Sequence, residues 1–346
     1  MSTARTLVTG GSGYFGEILI RHLLDRETCV RNFDLNPPGN ANGRIETVLG
    51  DIRDASAIRA ACHGIETVFH NVAQVPLAKN RELFRSVNRE GTKNLLEACL
   101  TEGVRKVIVT SSSAVFGVPR SNPVTEDTQP VPGEDYGRAK LEGERLCAEF
   151  SGRGLDITII RPRTILGGGR LGIFQILFEW IRLGRNVPVF GDGSNVYQFV
   201  HADDLASACA LSAGRPGSTI YNCGAEHFGT MREGLEAVCR HAGTGSKIRG
   251  VPMGAAVAAM KLTSAAGVSP LGAYHSLMYG RSMYFDITKA RIELNWQPRY
   301  SNDQMLIESY DWYVQRRQQI QNDHSARSHH RSPLRQGVLA LVSRFL

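Results

Sequence analysis

A tyrosine and a lysine four residues apart have the types and the spacing for acid–base chemistry. Tyr136 and Lys140 lie in the segment D-Y-G-R-A-K-L-E-G-E, and residues separated by four positions share one face of a helix. Taken alone, such a pair is usually a surface pair on an amphipathic helix. Here it follows an apolar run from Lys106 to Thr110, typical of a buried strand, that leads into three serines at 111–113. A phenol, an ammonium and a hydroxyl are therefore candidates for one site.

These groups could take the proton of a secondary alcohol while a hydride leaves the same carbon. A tyrosine has a pKa of about 10 in solution and acts as a base if that pKa falls toward neutrality. The Lys140 ammonium is expected to lower the pKa of Tyr136 by favouring the phenolate. A serine hydroxyl would hold the substrate oxygen against the phenol. In such chemistry a cofactor accepts the hydride, and the protein supplies geometry and electrostatics.

A glycine-rich turn near the N terminus predicts where that cofactor binds. The segment 7–16 reads L-V-T-G-G-S-G-Y-F-G and is followed by apolar residues with helical spacing, which predicts a strand, a tight turn and a helix. Gly10 can adopt a turn conformation closed to other residues, Gly13 lets the backbone approach a pyrophosphate, and Gly16 lets the helix pack closely. The helix N terminus offers N–H groups and a positive dipole end to phosphates. The residues assigned to the cofactor in this turn are Gly10, Gly13, Tyr14, Phe15 and Gly16.

An acidic residue at the end of the second predicted strand favours NAD over NADP. The strand C-V-R-N-F at 29–33 leads directly to Asp34. A carboxylate at this place hydrogen-bonds the ribose hydroxyls of an adenosine and repels the 2′-phosphate of NADP. Arg31 and Arg44 are close in the sequence and leave NADP as an alternative.

Strands and helices alternate through the first half of the chain, which predicts a parallel sheet with helices on both faces. Asp51 and Ile52 follow the third strand, where the acid would accept from the adenine amino group and the isoleucine would cover the adenine face. Ala73 lies in the bend after the fourth strand, at the carboxyl edge where a dinucleotide binds. The expected fold class is α/β, a Rossmann-type doubly wound parallel sheet with a smaller mixed α/β substrate domain.

Three regions are expected along the chain. The NAD-binding domain spans 1–165, with later strands returning to the sheet near 199 and 221, and a discontinuous substrate-binding domain spans 166–322. A basic tail occupies 323–346, where Leu334, Val338, Leu341, Val342 and Phe345 could form an amphipathic helix on a membrane surface. A frayed tail or a docked dimer helix is the alternative.

Composition indicates a soluble globular enzyme. The chain has 346 residues, 42% of them hydrophobic and 21% charged. No apolar run reaches the ~18–20 residues of a membrane span, and no signal-peptide pattern precedes the first strand, so a cytoplasmic location is expected. The seven cysteines are scattered without a C-x-x-C pair, which favours reduced thiols and no metal site. Much of the net charge of +7 is local to the tail, and nucleic acid is not an expected partner.

Taken together, these motifs resemble the extended short-chain dehydrogenases/reductases, the NAD-dependent epimerase/dehydratase group. The resemblance rests on T-G-G-S-G-Y-F-G, Asp34, G-D-I-R-D, T-S-S-S-A-V-F-G and Y-G-R-A-K, and it covers roughly residues 4 to 315. It implies that Tyr136 is the acid/base, that Lys140 is its partner and binds the nicotinamide ribose, and that Ser112 orients the hydroxyl. Ser111 and Ser113 remain alternatives for that role. The resemblance also implies that Pro162 lies near the nicotinamide and that the protein is a homodimer.

Two departures from the family pattern narrow the reaction. Members that eliminate water from sugars carry an acidic pair where this chain has Ser113 and Ala114, so a 4,6-dehydratase is not expected. Nucleotide-sugar members carry Arg and then Asp where this chain has Tyr197 and Gln198. The missing guanidinium removes a bidentate phosphate contact and weighs against a free UDP- or dTDP-sugar.

The expected function is NAD-dependent hydride transfer at a secondary alcohol of a nucleotide- or lipid-linked sugar. The alternative is a 3β-hydroxysteroid-type dehydrogenase. The small-residue and Met-rich stretches at 251–260 and 271–278 resemble the corresponding region of that branch of the family, although such stretches also pack as core helices. The partner is thus a small molecule, a sugar derivative or a sterol-like compound. A non-catalytic NAD-binding sensor or scaffold is the alternative of another class. His201 is expected to be a hydrogen-bonded buried group and not a catalyst.

Overall fold

A seven-stranded parallel sheet forms the centre of the molecule. The computed structural model describes residues 5–26, 29–39, 43–74, 81–170, 172, 174–254 and 280–322. The strands are β1 (Thr6–Thr9), β2 (Val30–Asp34), β3 (Ile45–Leu49), β4 (Thr67–His70), β5 (Lys106–Thr110), β6 (Ile157–Pro162), β7 (Thr164–Leu166), β8 (Val187–Phe190), β9 (Val196–Tyr197), β10 (Phe199–His201), β11 (Thr219–Cys223), β12 (Gly229–Thr230) and β13 (Ile248–Val251). The central sheet has the order β3-β2-β1-β4-β5-β6-β11, and every neighbouring pair in it is parallel. The predicted α/β class is confirmed.

Helices cover both faces of this sheet. They are α1 (Tyr14–Leu24), α2 (Ala55–Cys62), α3 (Arg81–Phe84), α4 (Thr92–Thr101), α5 (Asp135–Gly152), α6 (Phe174–Arg182), α7 (Ala202–Ala213), α8 (Met231–Ala242), α9 (Thr288–Leu294) and α10 (Asn302–Asn322). A π-helical segment, Arg85–Gly91, leads into α4, and a 3₁₀ turn, Ser113–Phe116, follows β5. All five residues of β5 are buried, as expected for a strand covered on both faces.

Two hydrophobic clusters fill the space between the sheet and its helices. One cluster joins α1, α7 and α9 and includes Leu19 and Leu205, and the other joins α2, α4 and α5 and includes Leu96 and Phe150. Because the strands are parallel, their carboxyl ends lie along one edge of the sheet, where ligands of doubly wound folds bind. The predicted cofactor and catalytic residues all follow such strand ends or open the helices after them.

A third hydrophobic cluster lies in the second half of the chain. It is formed by α6, α8 and α10 with strands β8 and β9, and its buried members include Phe178, Leu235 and Leu306. The strand pairs β8–β13 and β9–β12 are small sheets separate from the central one. This cluster lies within residues 166–322, where a smaller substrate domain is predicted, and that division of the chain stays a prediction.

The return of later strands differs in part from the expectation. The strand at 219–223 joins the central sheet as β11, beside β6. The expectation that a strand near residue 199 also returns to this sheet is wrong, because β10 pairs with β7 in a separate two-stranded sheet. Strand β6 already lies between β5 and β11, so neither of its edges is open to β10.

Several expectations concern residues beyond the described ranges. The small-residue and Met-rich stretches at 251–260 and 271–278, apart from residues 251–254, lie outside the described ranges. The tail at 323–346 also lies outside them. Within the ranges that are described, no helix is long and apolar enough to cross a membrane. All seven cysteines are described, and each is a free thiol.

Candidate active site

The glycine turn after β1 has the conformation that a dinucleotide site requires. Gly10 adopts a φ of +73°, and a Cβ on it would lie 3.0 Å from the backbone nitrogen of Val72 in the bend after β4. A Cβ on Gly16 would overlap the carbonyl oxygen of Gly10, so only glycine lets α1 pack this closely on the turn. Gly13 occupies the N-cap position of α1, and no side chain caps this end of the helix. The first N–H groups of α1 therefore offer an anion site without a competing side-chain acceptor.

Asp34 is held at the rim of this turn by backbone donors. Its two carboxylate oxygens accept from the backbone N–H groups of Ser12, at 3.1 Å, and Asn36, at 3.0 Å. Burial raises the pKa of Asp34, while these hydrogen bonds act in the opposite direction. Arg31 points elsewhere, since it donates to the Glu46 carboxylate and to backbone carbonyls at 61 and 63. Arg44 donates to the carbonyl of Leu24. The contacts of Arg31 thus direct it away from Asp34.

The remaining predicted cofactor residues lie around the same edge. Asp51 follows β3, and the hydrogen bonds from Arg53 hold its pKa below the usual value. Ile52 is buried in the cluster that joins α2, α4 and α5. Ala73 lies in the bend that touches the glycine turn, and Pro162 ends β6 opposite Cys223.

Ser112 lies next to Tyr136, and hydrogen bonding from Ser112 lowers the pKa of the phenol. Ser112 begins the 3₁₀ turn and accepts from the N–H of Ala114 at 3.1 Å, which fixes its side chain. Tyr136 lies in the first turn of α5, and the buried Glu134 caps this helix by accepting from the N–H groups of Tyr136, at 2.7 Å, and Gly137, at 2.6 Å. Both hydroxyls are therefore placed by capped helix starts.

The two neighbouring serines have other partners. Ser111 donates to the buried carboxylate of Glu144 at 2.5 Å, and Ser113 accepts from Arg163 at 2.9 Å. Among the three candidates, the hydrogen bond to the tyrosine thus favours Ser112.

Lys140 lies one helical turn after Tyr136 but contacts a different group. Its ammonium donates to the carbonyl oxygen of Thr110 at 2.8 Å. Burial lowers the pKa of Lys140 to about 8, and the nearby charge of Glu144 opposes this change. Lys140 is therefore mostly an ammonium at neutral pH.

The pKa of Tyr136 moves opposite to the direction that the sequence suggests. Burial raises this pKa, while the hydrogen bond with Ser112 and the charge of Arg170 lower it. The expected lowering by Lys140 is not among the main effects on this pKa. Burial of the phenol outweighs the nearby positive charge in the protein chain alone.

Two residues near the site are missing from the sequence-based prediction. Arg170 ends the run G-G-G-R, and its guanidinium lies 5.8 Å from the ring centroid of Tyr14. The charge of Arg170 also lowers the pKa of Tyr136. The run of glycines followed by an arginine after a strand is the sequence feature that could have identified this residue. His70 ends β4 between the hydroxyls of Thr9 and Thr92. Burial, then the Lys140 charge, lowers the pKa of His70 to about 3, so its imidazole is neutral.

Tyr197 and Gln198, which replace the Arg–Asp pair of the nucleotide-sugar members, are buried and hydrogen-bonded within the protein. The hydroxyls of Tyr197 and Thr164 are 2.8 Å apart. Gln198 donates to the carbonyl of Ala225 and accepts from the N–H of Phe285. His201 stacks on Tyr300 and hydrogen-bonds Glu308, as expected for a satisfied buried histidine.

A family model described as the NAD dependent epimerase/dehydratase family matches residues 6–224. The chain belongs to this family. Uncharacterized protein y4nG of Sinorhizobium fredii is 56% identical over 337 residues, covering 97% of this chain and 85% of that protein. The 3 beta-hydroxysteroid dehydrogenase/Delta 5→4-isomerase of Mycobacterium tuberculosis is 31% identical over 344 residues, covering 92% of this chain and 93% of that protein. The solved structure of MoeE5 in complex with UDP-glucuronic acid and NAD is 26% identical, with a TM-score of 0.73, and the match covers 90% of this chain and 99% of that one.

Membership of the NAD-dependent epimerase/dehydratase family makes the protein an enzyme with NAD as its cofactor. The residues present fit that cofactor. The positive φ of Gly10, the close packing at Gly16 and the uncapped N terminus of α1 form a cradle for a pyrophosphate. Asp34 supplies a carboxylate where an adenosine ribose would need an acceptor.

Proposed function

We propose that this family member oxidises and reduces a ring secondary alcohol of a nucleotide- or lipid-linked sugar, with Tyr136 as the acid/base. The observation that carries the proposal is the hydrogen bond between Ser112 and Tyr136, with Lys140 one helical turn away, at the edge of the sheet that carries the glycine turn. A partly buried phenol beside a fixed hydroxyl offers a substrate oxygen two hydrogen-bonding partners at once. This pairing supports catalysis over a non-catalytic NAD-binding role.

In this proposal the protein handles the proton and orients the alcohol. Bound NAD supplies the acceptor for the hydride that leaves the carbinol carbon. Tyr136, as phenolate, takes the hydroxyl proton as the alcohol becomes a carbonyl, and Ser112 donates a hydrogen bond to the same oxygen. Lys140, whose ammonium donates to the Thr110 carbonyl one helical turn from Tyr136, would bind the hydroxyls of the nicotinamide ribose.

Two substrate classes are supported by different observations. A nucleotide-linked sugar is supported by the likeness to MoeE5, whose structure holds UDP-glucuronic acid. A 3β-hydroxysteroid is the second candidate, because the mycobacterial relative named as such a dehydrogenase is similar over almost the whole chain. Tyr197 carries no positive charge where sugar-nucleotide enzymes carry arginine, and this favours the second candidate.

The decisive experiment compares Tyr136→Phe with the wild-type enzyme on a panel of UDP-sugars and 3β-hydroxysteroids. Absorbance of reduced cofactor reports dehydrogenation, and exchange between epimers reports epimerisation. We expect kcat to fall on the order of 10²–10⁴-fold, because the variant lacks the acid/base, while NAD binds unchanged. Tyr284→Phe is the matched control, since Tyr284 packs on Phe228 and is not placed in the site. Wild-type turnover in Tyr136→Phe would eliminate the proposal.

A further inference from the structure

We propose that Arg163 forms a binding site for an anionic group of the substrate, a carboxylate or a phosphate, next to the reacting alcohol. This inference rests on the proposed function, because it places the anion beside Ser112 and Tyr136. It goes further by assigning a charge to the substrate.

Arg163 is a buried cation with unused donors. Its side chain is 1% exposed, and it is one of the largest fully buried side chains in the described part of the chain. Nη1 donates to the Ser113 hydroxyl at 2.9 Å and lies 3.3 Å from the sulfur of Met283. Nε and Nη2 are buried without a hydrogen-bond partner among the described residues. Burying a charge without a partner is strongly unfavourable, so an acceptor other than the described residues is indicated.

The groups around this guanidinium are aromatic and not acidic. Its central carbon lies 4.8 Å from the ring centroid of Tyr197 and 5.7 Å from that of Phe285. Cation–π contacts stabilise such a cation in part, but they use its face and leave the N–H groups at its edge unsatisfied. No carboxylate of the described residues forms an ion pair with Arg163.

Another arginine two positions earlier shows how the same fold neutralises a buried cation. Arg161 is bonded at two points to Glu144, with Nε to Oε1 at 2.9 Å and Nη2 to Oε2 at 2.7 Å. Both side chains of this pair are almost completely buried. At Arg163 the equivalent edge, Nε and Nη2, has no such acceptor. This is the edge of the planar group that a carboxylate or phosphate accepts from at two points.

The position of Arg163 ties this edge to the proposed reaction. The guanidinium is bonded to Ser113, whose neighbour Ser112 shares a hydrogen bond with Tyr136. Tyr197, which stands where sugar-nucleotide enzymes carry an arginine, packs its ring against Arg163. The positive charge missing at 197 is thus supplied from the segment after β6. A neutral substrate would leave the cation uncompensated, and this selects for an acid.

The test measures binding by calorimetry on the full chain saturated with NAD. The probes are two matched pairs: UDP-glucuronic acid with UDP-glucose, and a 3β-hydroxysteroid 4α-carboxylate with its neutral parent. If the anion is a carboxylate, we expect the wild-type protein to bind the acid of at least one pair about 10–100-fold more tightly, and Arg163→Met to reduce this preference to about twofold or less. If it is a phosphate, we expect the wild-type protein to bind both UDP-sugars and Arg163→Met to bind both about 10–100-fold more weakly. Arg163→Lys should restore part of it.

The pairs also distinguish the source of the anion. If Arg163→Met weakens the binding of UDP-glucose and of UDP-glucuronic acid equally and leaves the binding of the steroids unchanged, the anion is a phosphate. If it weakens only the acids, the anion is a carboxylate. Unchanged binding of every probe by Arg163→Met, or wild-type protein that binds none of the acids or UDP-sugars, overturns the inference.

Stability measurements separate a ligand site from a structural role. Arg163→Met should unfold at the same or a higher denaturant concentration than the wild type, because it removes an uncompensated buried charge. Arg161→Met, the matched control, should unfold at a lower concentration, because it leaves Glu144 without its partner. Equal destabilisation by both changes would make Arg163 structural and contradict the proposal. Tyr136→Phe should retain the preference for the acid while losing turnover, so failure of the proposed chemistry is recognised separately.

Discussion

Three consecutive serines after β5 each bind a different kind of partner. Ser111 donates to a buried carboxylate, Ser112 pairs with the phenol of Tyr136, and Ser113 accepts from a buried guanidinium. Ser112 is extended and Ser113 begins a 3₁₀ turn, and this tripeptide serves three parts of the site. The catalytic proposal and the anion site are therefore linked through adjacent residues.

Asp34→Asn should shift the cofactor preference toward NADP. The asparagine keeps an oxygen for the N–H of Ser12 but removes the negative charge that repels a 2′-phosphate. We expect the ratio of NAD to NADP affinity to fall about tenfold or more, measured by titrating each cofactor. Glu46→Gln is the control, because this carboxylate pairs with Arg31. A similar shift in the control would show that the effect is general electrostatics and not the carboxylate at the turn.

Residue types and spacing identified Tyr136, Lys140 and the three serines at 111–113 as candidates, and the family resemblance selected Ser112, which the structure places next to Tyr136. The direction of the pKa change at Tyr136 was not predictable, because it depends on how deeply the phenol is buried. Arg163 gave no signal either. An arginine in I-I-R-P-R-T is an ordinary residue until its burial and its unused donors are known.

At the scale of single elements, the local signal was strong where glycines are involved, whereas the cap of α5 is known only from the structure. The turn between β1 and α1 follows from its glycines, and α5 begins at the cap Glu134. Both helix starts are held at the carboxyl edge of the sheet by residues that have few acceptable replacements. Small changes there should affect the site more than larger changes elsewhere on the same helices.

Gly16→Ala should destabilise the protein and weaken NAD binding. The added methyl group would overlap the backbone of the Gly10 turn, which is not a flexible side chain and must shift. We expect about 1–3 kcal/mol lower free energy of unfolding, measured by denaturant titration, with weaker NAD affinity. Gly152→Ala, in the last turn of α5, is the control, because a Cβ there meets no atom within 4 Å and should raise stability by up to about 1 kcal/mol. Equal stability of Gly16→Ala and the wild type would refute close packing at this turn.

The whole molecule depends on contacts between distant parts of the sequence. The alternation of elements predicted the central strands through β6, since each follows from a local pattern. That residues 219–223 complete the sheet while 199–201 pair outside it depends on which edges are free, and no local pattern encodes this. The packing of α9 against the first cluster is likewise a long-range contact.

Glu179 joins the helices of the second unit through a network of charges. It lies on α6 and accepts from Arg182 on the same helix and from Tyr313 and Arg317 on α10. Burial raises the pKa of Glu179, but the hydrogen bonds from Arg182, Arg317 and Tyr313 outweigh it and lower the pKa to about 2. The carboxylate thus stabilises the attachment of α10 to this unit.

Glu179→Gln should remove an acid-sensitive part of the stability. Because the folded pKa is lowered, the contribution of Glu179 is complete above the ordinary glutamate pKa of about 4.3 and is lost as the pH falls toward 2. Screening of the partly exposed arginines limits it to about 1–2 kcal/mol, so the variant should be less stable by this amount at pH 6 and closer to the wild type at pH 3. Denaturant titrations at both pH values measure the difference. Glu97→Gln, which breaks a surface pair with Arg153, should change stability by less than about 0.5 kcal/mol. A constant difference between wild type and Glu179→Gln across this range would show that the network acts through packing and not through the charge of the carboxylate.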